Sequence, residues 1–288
     1  MANSIQAAPS VLADSVIASL KNKLPVLNGF SSVFSSQVSG QGLTIQVPLI
    51  GTSTATEFST GGYLTQDDAT VTKADVTLKH YKVSTRVTPL NIRDYGMSFF
   101  TNFAATASNA LAEKCMGDIA ALIINSNYSS NTNTGADFSY DEAVAAQKTL
   151  DDAKAANPRA LIVNSKYLAD LRSDSKIVAA NGLGANVISS GAIGTLAGAS
   201  VYQWSNLPTN SENLAGFSCG ADAIAVATAL PLTEIPGFDV AVGTDQDTGL
   251  SVQIIMGQEQ SGYYNITATL LFGCAVGRAT SLVRLKTA

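Results

Sequence analysis

The stretch Gly216-Phe217-Ser218-Cys219-Gly220 has the G-x-S-x-G spacing of a nucleophile elbow, in which a serine on a sharp strand-to-helix turn attacks an acyl carbon. That chemistry needs a histidine to take the serine proton, following the serine in chain order. The chain has one histidine, His80, far upstream of Ser218. The preceding residues, PTNSENLA, read as a polar loop, so GFSCG is expected at a loop tip that leads into the apolar run AIAVATAL. Gly182 and Gly184 begin a G-x-G, but Val187 stands where a dinucleotide fingerprint needs its third glycine. A flexible loop running into a strand near Ala199–Trp204 is expected instead. Asp245, Asp247 and Gly249 resemble part of a calcium loop, yet its twelfth position, counted from Asp245, is Met256 rather than a glutamate. A turn between two strands is the expectation there.

Cys115, Cys219 and Cys274 are odd in number and widely spaced, making neither a disulfide framework nor a metal-binding C-x-x-C pair. They are expected as buried free thiols. Asn127 and Asn265 sit in sequons that carry no weight without secretion, and the N-terminus lacks the basic start and apolar core of a signal peptide. No catalytic residue, cofactor site or metal site is assigned.

Composition points elsewhere. Charged residues are 14% of the chain and hydrophobic ones 46%, against about 25% charged in an ordinary soluble protein. Interface cores are depleted in charge, so a low-charge surface fits a chain that spends it on partners. The formal net charge of −5 and the lack of a basic run argue against direct nucleic-acid recognition. No apolar run of about 18 residues is present, so no membrane span is expected.

The elements follow from periodicity. Val11, Leu12, Val16 and Leu20 share one side of a short helix over 10–23, with Ser10 as cap and Pro25 as stop. The helix reads either as an arm or as folded onto its own domain. LTIQVPL alternates as a strand, placed at an edge by Pro48. Its return strand, TKADVTLKHYKVSTRVTPL, puts Val76, Leu78 and His80 on one face and Tyr81, Val83, Thr85 and Val87 on the other, with His80 a surface residue. The roughly 20 intervening residues, rich in Ser, Thr and Gly around Gly61–Gly62, suit a protruding hairpin. From Ser98 to Asn125, apolar residues from Phe99 to Ile123 recur at threes and fours, giving a helix of roughly 40 Å. Ser139 and Glu142 form a capping box for a helix at about 140–154, with Ala143, Ala146, Leu150 and Ala153 inward. RALIVNS is a short buried strand, Ser165 a candidate cap for KYLADLRSD, and the C-terminal third reads as sheet.

This α+β order resembles the Hong Kong 97-like major capsid proteins of tailed bacteriophages over nearly the whole chain. The segments that carry the likeness are VTKADVTLKHYKVSTRVTPLNIRDYGMSFF, SYDEAVAAQKTLDDA, ALIVNSKYLADLRSD and IGTLAGASVYQWSNLP, in that order. The resemblance implies an N-terminal arm over 1–40, an extended hairpin (E-loop) over 41–88 and a peripheral domain with the spine helix over 89–138. An axial domain near 139–238 follows, then C-terminal strands over 239–288 returning to the peripheral domain. It implies pentamers and hexamers of a virion shell that encloses double-stranded DNA without sequence-specific binding, assembled in the host cytoplasm. Scaffolding, portal and cementing proteins are the expected partners. The chain starts almost directly at its arm, so a separate scaffolding protein, or none, is implied. Some relatives join an E-loop lysine to a neighbour's asparagine; residues 51–70 contain no lysine, the nearest being Lys73, so that crosslink is not carried over. Expected assembly contacts are Val11, Val16 and Leu20 of the arm, and Phe58, Gly61, Gly62, Tyr63 and Leu64 of the hairpin tip. An encapsulin-like nanocompartment shell and a tail or surface-layer protein are the alternatives.

Overall fold

The computed structural model describes residues 8–23, 31–34, 44–50, 71–133, 137–179, 193–229, 235–245, 249–258 and 263–287. Helix α1 (Ala8–Lys23) leads into strands β1 (Ser31–Phe34), β2 (Thr44–Ile50), β3 (Val71–Thr77) and β4 (Lys79–Val87). Helix α2 (Pro89–Leu122) follows, then β5 (Asn131–Asn133), α3 (Tyr140–Asp152), β6 (Arg159–Val163), α4 (Ser165–Ser173) and the single turn α5 (Ser175–Val178). The remainder is strand: β7 (Thr195–Leu196), β8 (Ala199–Gln203), β9 (Leu214–Gly220), β10 (Ile224–Ala229), β11 (Asp239–Thr244), β12 (Ser251–Gln258), β13 (Tyr264–Val276) and β14 (Leu282–Lys286).

Two six-stranded sheets organise these elements. The first runs β1-β10-β13-β12-β11, with β4 also paired to β13; the second runs β5-β14-β9-β6-β8-β7; β2 and β3 form a separate two-stranded ribbon. The C-terminal strands part company. β11, β12 and β13 belong to the first sheet, whereas β14, reached through a 3-10 turn at Ala279–Ser281, pairs with β9 and β5 in the second.

Helix α2 is longer than its apolar repeat predicts. It begins at Pro89, nine residues before Ser98, and its 34 residues span about 50 Å. Proline suits the first helical position, where its missing N–H removes nothing. Phe103, Ala107, Leu111, Cys115 and Ile119 bury one side of it against α1 and the inner face of the first sheet. The same core continues into Ala160, Ile162, Phe217, Cys219 and Leu282 of the second sheet. The opposite face of that sheet, with Leu161, Val163, Val283 and Leu285, packs on Ala143, Ala146 and Leu150 of α3 and on Tyr167 and Leu171 of α4. RALIV therefore reads as a continuous apolar run because both of its faces are covered.

Helix α3 keeps its expected start: the Glu142 carboxylate accepts from the Ser139 N–H at 2.7 Å, the returning arm of a capping box. It ends at Asp152, and Ala153 is its C-cap rather than an inward residue. Helix α4 is capped one residue earlier than expected. Asn164, not Ser165, is the N-cap, its side-chain oxygen accepting from the Tyr167 N–H at 2.9 Å.

Candidate assembly surfaces

GFSCG is not a loop tip. It is most of β9, buried at every position, with Ser218 between Val283 of β14 and Leu161 of β6. Its glycines allow close packing: a Cβ on Gly216 would stand 2.7 Å from the Ile162 carbonyl oxygen, and one on Gly220 2.7 Å from that of Ala156. Ser218 Oγ accepts from Gln147 Nε2 at 2.7 Å and donates to the Ala160 carbonyl at 3.3 Å. Ser218 is fully buried and, among the described residues, its hydroxyl bonds only to Gln147 and Ala160, so the G-x-S-x-G spacing serves packing.

The other chemical candidates fare alike. Cys115 and Cys219 are buried and Cys274 half-buried, all free thiols; burial pushes the Cys274 thiol up to about 12 and the other two higher still. High thiol pKa values disfavour the reactive thiolate. The Asp245 N–H donates to the Leu250 carbonyl, and the Gly249 N–H to that of Asp245, in the connection between β11 and β12. Asp247, Gly182, Gly184 and Val187 lie outside the described residues. Among the described residues no three His, Cys, Asp or Glu side chains gather to hold a metal, and no helix is long and apolar enough to cross a membrane. Asn127 of the first sequon is used structurally, its Nδ2 donating to the Leu122 carbonyl at 2.9 Å.

What the structure does build is a seat for the hairpin stem. β2 and β3 pair from Thr44↔Thr77 to Ile50↔Val71, and among the described residues β2 pairs with β3 alone, as suits a strand carrying Pro48. Ile45, Val47, Ala74, Val76 and Leu78 turn to the first sheet and bury Ala225, Ala227 and Ala229 of β10. The alternation in β10 explains the fit. Ile224 and Val226 fill the core beneath, while the three alanines leave the outer face low enough for a second layer. Gly273 of β13 completes the seat, since a Cβ there would meet the Thr77 carbonyl oxygen at 2.5 Å.

At Leu78 the chain leaves the ribbon and enters the first sheet. Burial flips there from the even positions Ala74, Val76 and Leu78 to the odd positions Tyr81, Val83, Thr85 and Val87, and His80 becomes exposed. The switch is pinned on the α2 side, where Asp118 accepts the Tyr81 hydroxyl and lies 3.1 Å from Lys79 Nζ.

The expected arm contacts divide. Val16 and Leu20 are fully buried in the chain's own core, packed with Leu12 and Ala13 among α2, β11 and β12. Of the three, only Val11, 51% exposed, offers an apolar side chain outward. The helix is thus folded onto its own domain. Phe58, Gly61, Gly62, Tyr63 and Leu64 lie outside the described residues.

A buried polar junction, unmarked by any motif, ties the end of α2 to the second sheet. Arg284 of β14 is wholly buried; its guanidinium bonds to Glu212 and donates to Asn125 Oδ1 at 2.7 Å. The other Glu212 oxygen accepts from the Asn125 N–H at 3.0 Å. Asn210 Nδ2 donates to the carbonyls of Ala120 and Ile123, at 2.7 and 2.8 Å, satisfying acceptors that a helix end leaves open. Asn210, Ser211 and Asn213 take positive φ, between 50° and 55°, to present these groups. Asparagine tolerates that region best after glycine. The asparagine-rich spelling PTNSEN was the available signal.

A family model described as phage capsid protein matches residues 45–285. Among solved structures, the chain is similar to the capsid of the cyanophage P-SCSP1u at 14% identity, over 91% of this chain and 87% of that one, with a TM-score of 0.62. It is similar to a structure from Mycobacterium phage Che8 at 21% identity, over 90% of each chain, with a TM-score of 0.60. It is also similar to the mature capsid of bacteriophage PhiM1 at 11% identity, over 91% and 86% of the two chains, with a TM-score of 0.53. A search of curated proteins finds no match.

Proposed function

The chain belongs to the phage capsid protein family, and from that premise we propose that its copies close as pentamers and hexamers into an icosahedral head around double-stranded DNA. The observation that carries this reading is the hairpin stem. A two-layer seat of alanines and Gly273 fixes a ribbon described as far as the Ile50–Val71 pair, with 20 residues of sequence between those two. That connection has few apolar residues, and Phe58, Tyr63 and Leu64 within it need a burial site. A neighbouring copy supplies one, with Gly61–Gly62 as the turn between them. Heterologous contacts of this kind close into rings when the rotation permits. The first sheet with α1 and α2 serves as the peripheral domain, the second sheet with α3 and α4 as the axial domain, and Val11 as an outward contact of the leading helix. Scaffolding, portal and cementing proteins complete the particle, and the DNA is enclosed without base readout.

Deleting residues 55–65 tests the reading by sedimentation velocity. The expected outcome is a folded subunit that sediments as small species where the intact chain forms large particles. Equal particle formation by both chains contradicts the role given to the connection.

A further inference from the structure

Among the described elements the chain passes between the two sheets three times. The first passage runs from α2 to β5 over 123–130, the second from β9 to β10 over 221–223, and the third from β13 to β14 over 277–281. The second and third lie side by side. β9 and β14 pair antiparallel in one sheet, β10 and β13 pair antiparallel in the other, and the corner joins the two ladders. Four residues separate Cys219 from Ile224, whereas five separate their partners Leu282 and Val276. An extra residue on one strand bends a ladder and strengthens its twist. Each strand takes up the bend in a tight turn, the Ala223 N–H donating to the Gly220 carbonyl at 3.1 Å and the Ser281 N–H to that of Arg278 at 3.0 Å.

All three passages meet at one atom. The Ala223 carbonyl oxygen accepts from the Gly277 N–H at 3.0 Å and from the Tyr128 hydroxyl at 2.8 Å. A carbonyl has two lone pairs, and here one goes to each of the other two passages. Tyr128 and Ala223 are wholly buried in the main core. The fit beside this point is tight: a Cβ on Gly277 would stand 2.4 Å from the Asp222 carbonyl oxygen and 2.9 Å from that of Ala223. Arg278 then fastens the corner to the helical layer of the second sheet. Its N–H donates to the Asp222 carbonyl at 2.8 Å. Its guanidinium donates to the carbonyls of Ala153 and Lys154, just past the end of α3, at 2.8 and 3.2 Å. The Asp222 carboxylate lies 3.6 Å from the same guanidinium.

Turning one sheet against the other moves the three passages by different amounts, because they reach the corner from different elements. With all three bonded at one buried oxygen, such a turn strands the hydroxyl, the N–H or the carbonyl inside the core. An unpaired polar group there costs far more than a bonded one gains. We propose that the Ala223 carbonyl is a pin that fixes the angle between the two sheets, so that both turn as one body when copies of the chain change their packing. The pin belongs to the single chain and does not depend on what the copies build. In a closed shell, copies in five-fold and six-fold rings then share one angle between their sheets.

Double electron–electron resonance on the full-length chain reads this angle. Spin labels are carried on p-acetylphenylalanine in place of exposed Lys82 of β4 and exposed Lys148 of α3, which leaves the native thiols untouched. Labelled chain is diluted in unlabelled chain, so that only pairs within one copy are read. One narrow distance is expected, the same in free and in assembled chains. Two distances, or a shift on assembly, overturn the pin. Tyr128→Phe then separates the hydroxyl from the packing of its ring. A chain that still unfolds cooperatively but has a broader distance distribution is expected. Gly277→Ala presses a Cβ onto the Asp222 carbonyl and is expected to shift the mean distance. A parent-like distribution in both variants shows that core packing alone sets the angle, and overturns the proposal.

Discussion

Ser218 is worth comparing with Arg284. Ser218 sits in the most chemically suggestive spelling in the chain and proves to be a packed strand residue bonded to Gln147 and Ala160. Arg284 sits in no motif and is the largest fully buried side chain among the described residues. A buried ion pair contributes little net stability when whole, but removing one partner strands the other charge, at roughly 3–5 kcal/mol. Glu212→Ala should therefore destabilise the folded chain by about 3 kcal/mol or more in urea unfolding, and by more than Arg284→Met with Glu212→Gln together. Near-equal stability of Glu212→Ala and the parent would show the junction to be solvated instead. The buried acids make a second prediction. Burial raises the pKa values of Cys115, Cys219 and Tyr128 above their ordinary ranges. The folded state therefore keeps protons that the unfolded chain releases from about pH 8.5 for thiols and about pH 10 for tyrosine. With more protons bound folded than unfolded, stability is intact below about pH 8.5 and falls as pH rises, by about 1.4 kcal/mol per unit for each group titrating only when unfolded. Unfolding midpoints between pH 8 and 11 should fall accordingly, and Cys115→Ala should flatten the slope. A flat profile would contradict it.

Among the elements, the hairpin stem shows how much the sequence displays and why the rest stays hidden. The alternation of Ile45 and Val47, and of Ala74, Val76 and Leu78, is visible in the letters and holds. The break at Leu78 is not visible as a break, because a strand that changes partners keeps its period of two and only shifts phase. The start of α2 is hidden in the letters because residues 89–97 lack the apolar repeat; Thr88–Pro89 is its signal. GFSCG reads as a loop tip because glycine and serine mark turns in general, while in the fold Gly216 and Gly220 admit the neighbouring carbonyls. Val16 and Leu20 could not be assigned to self or neighbour, since an apolar helix face records burial and not the identity of what covers it. The seat itself is testable. Gly273→Val places a side chain where the Thr77 carbonyl lies, so amide exchange at Ala74 and Val76 should quicken while that of Leu111 and Cys115 in α2 stays slow. Unchanged protection in β3 would show that the ribbon does not depend on this contact.

For the whole molecule, low charge, two sheets sharing one core and a ribbon fixed on an outer face are consistent with the proposed role of a shell subunit. The family match over residues 45–285 and the shared fold at 11–21% identity show how little of this is held by particular letters. Pattern carries it: small residues where layers approach, apolar ones where both faces are covered. The central claim is closure of identical copies into a shell, and electron microscopy of the purified full-length chain tests it most directly. The account predicts closed, uniform particles with five-fold and six-fold clusters on their surface. Tubes or flat sheets in place of closed particles would contradict it.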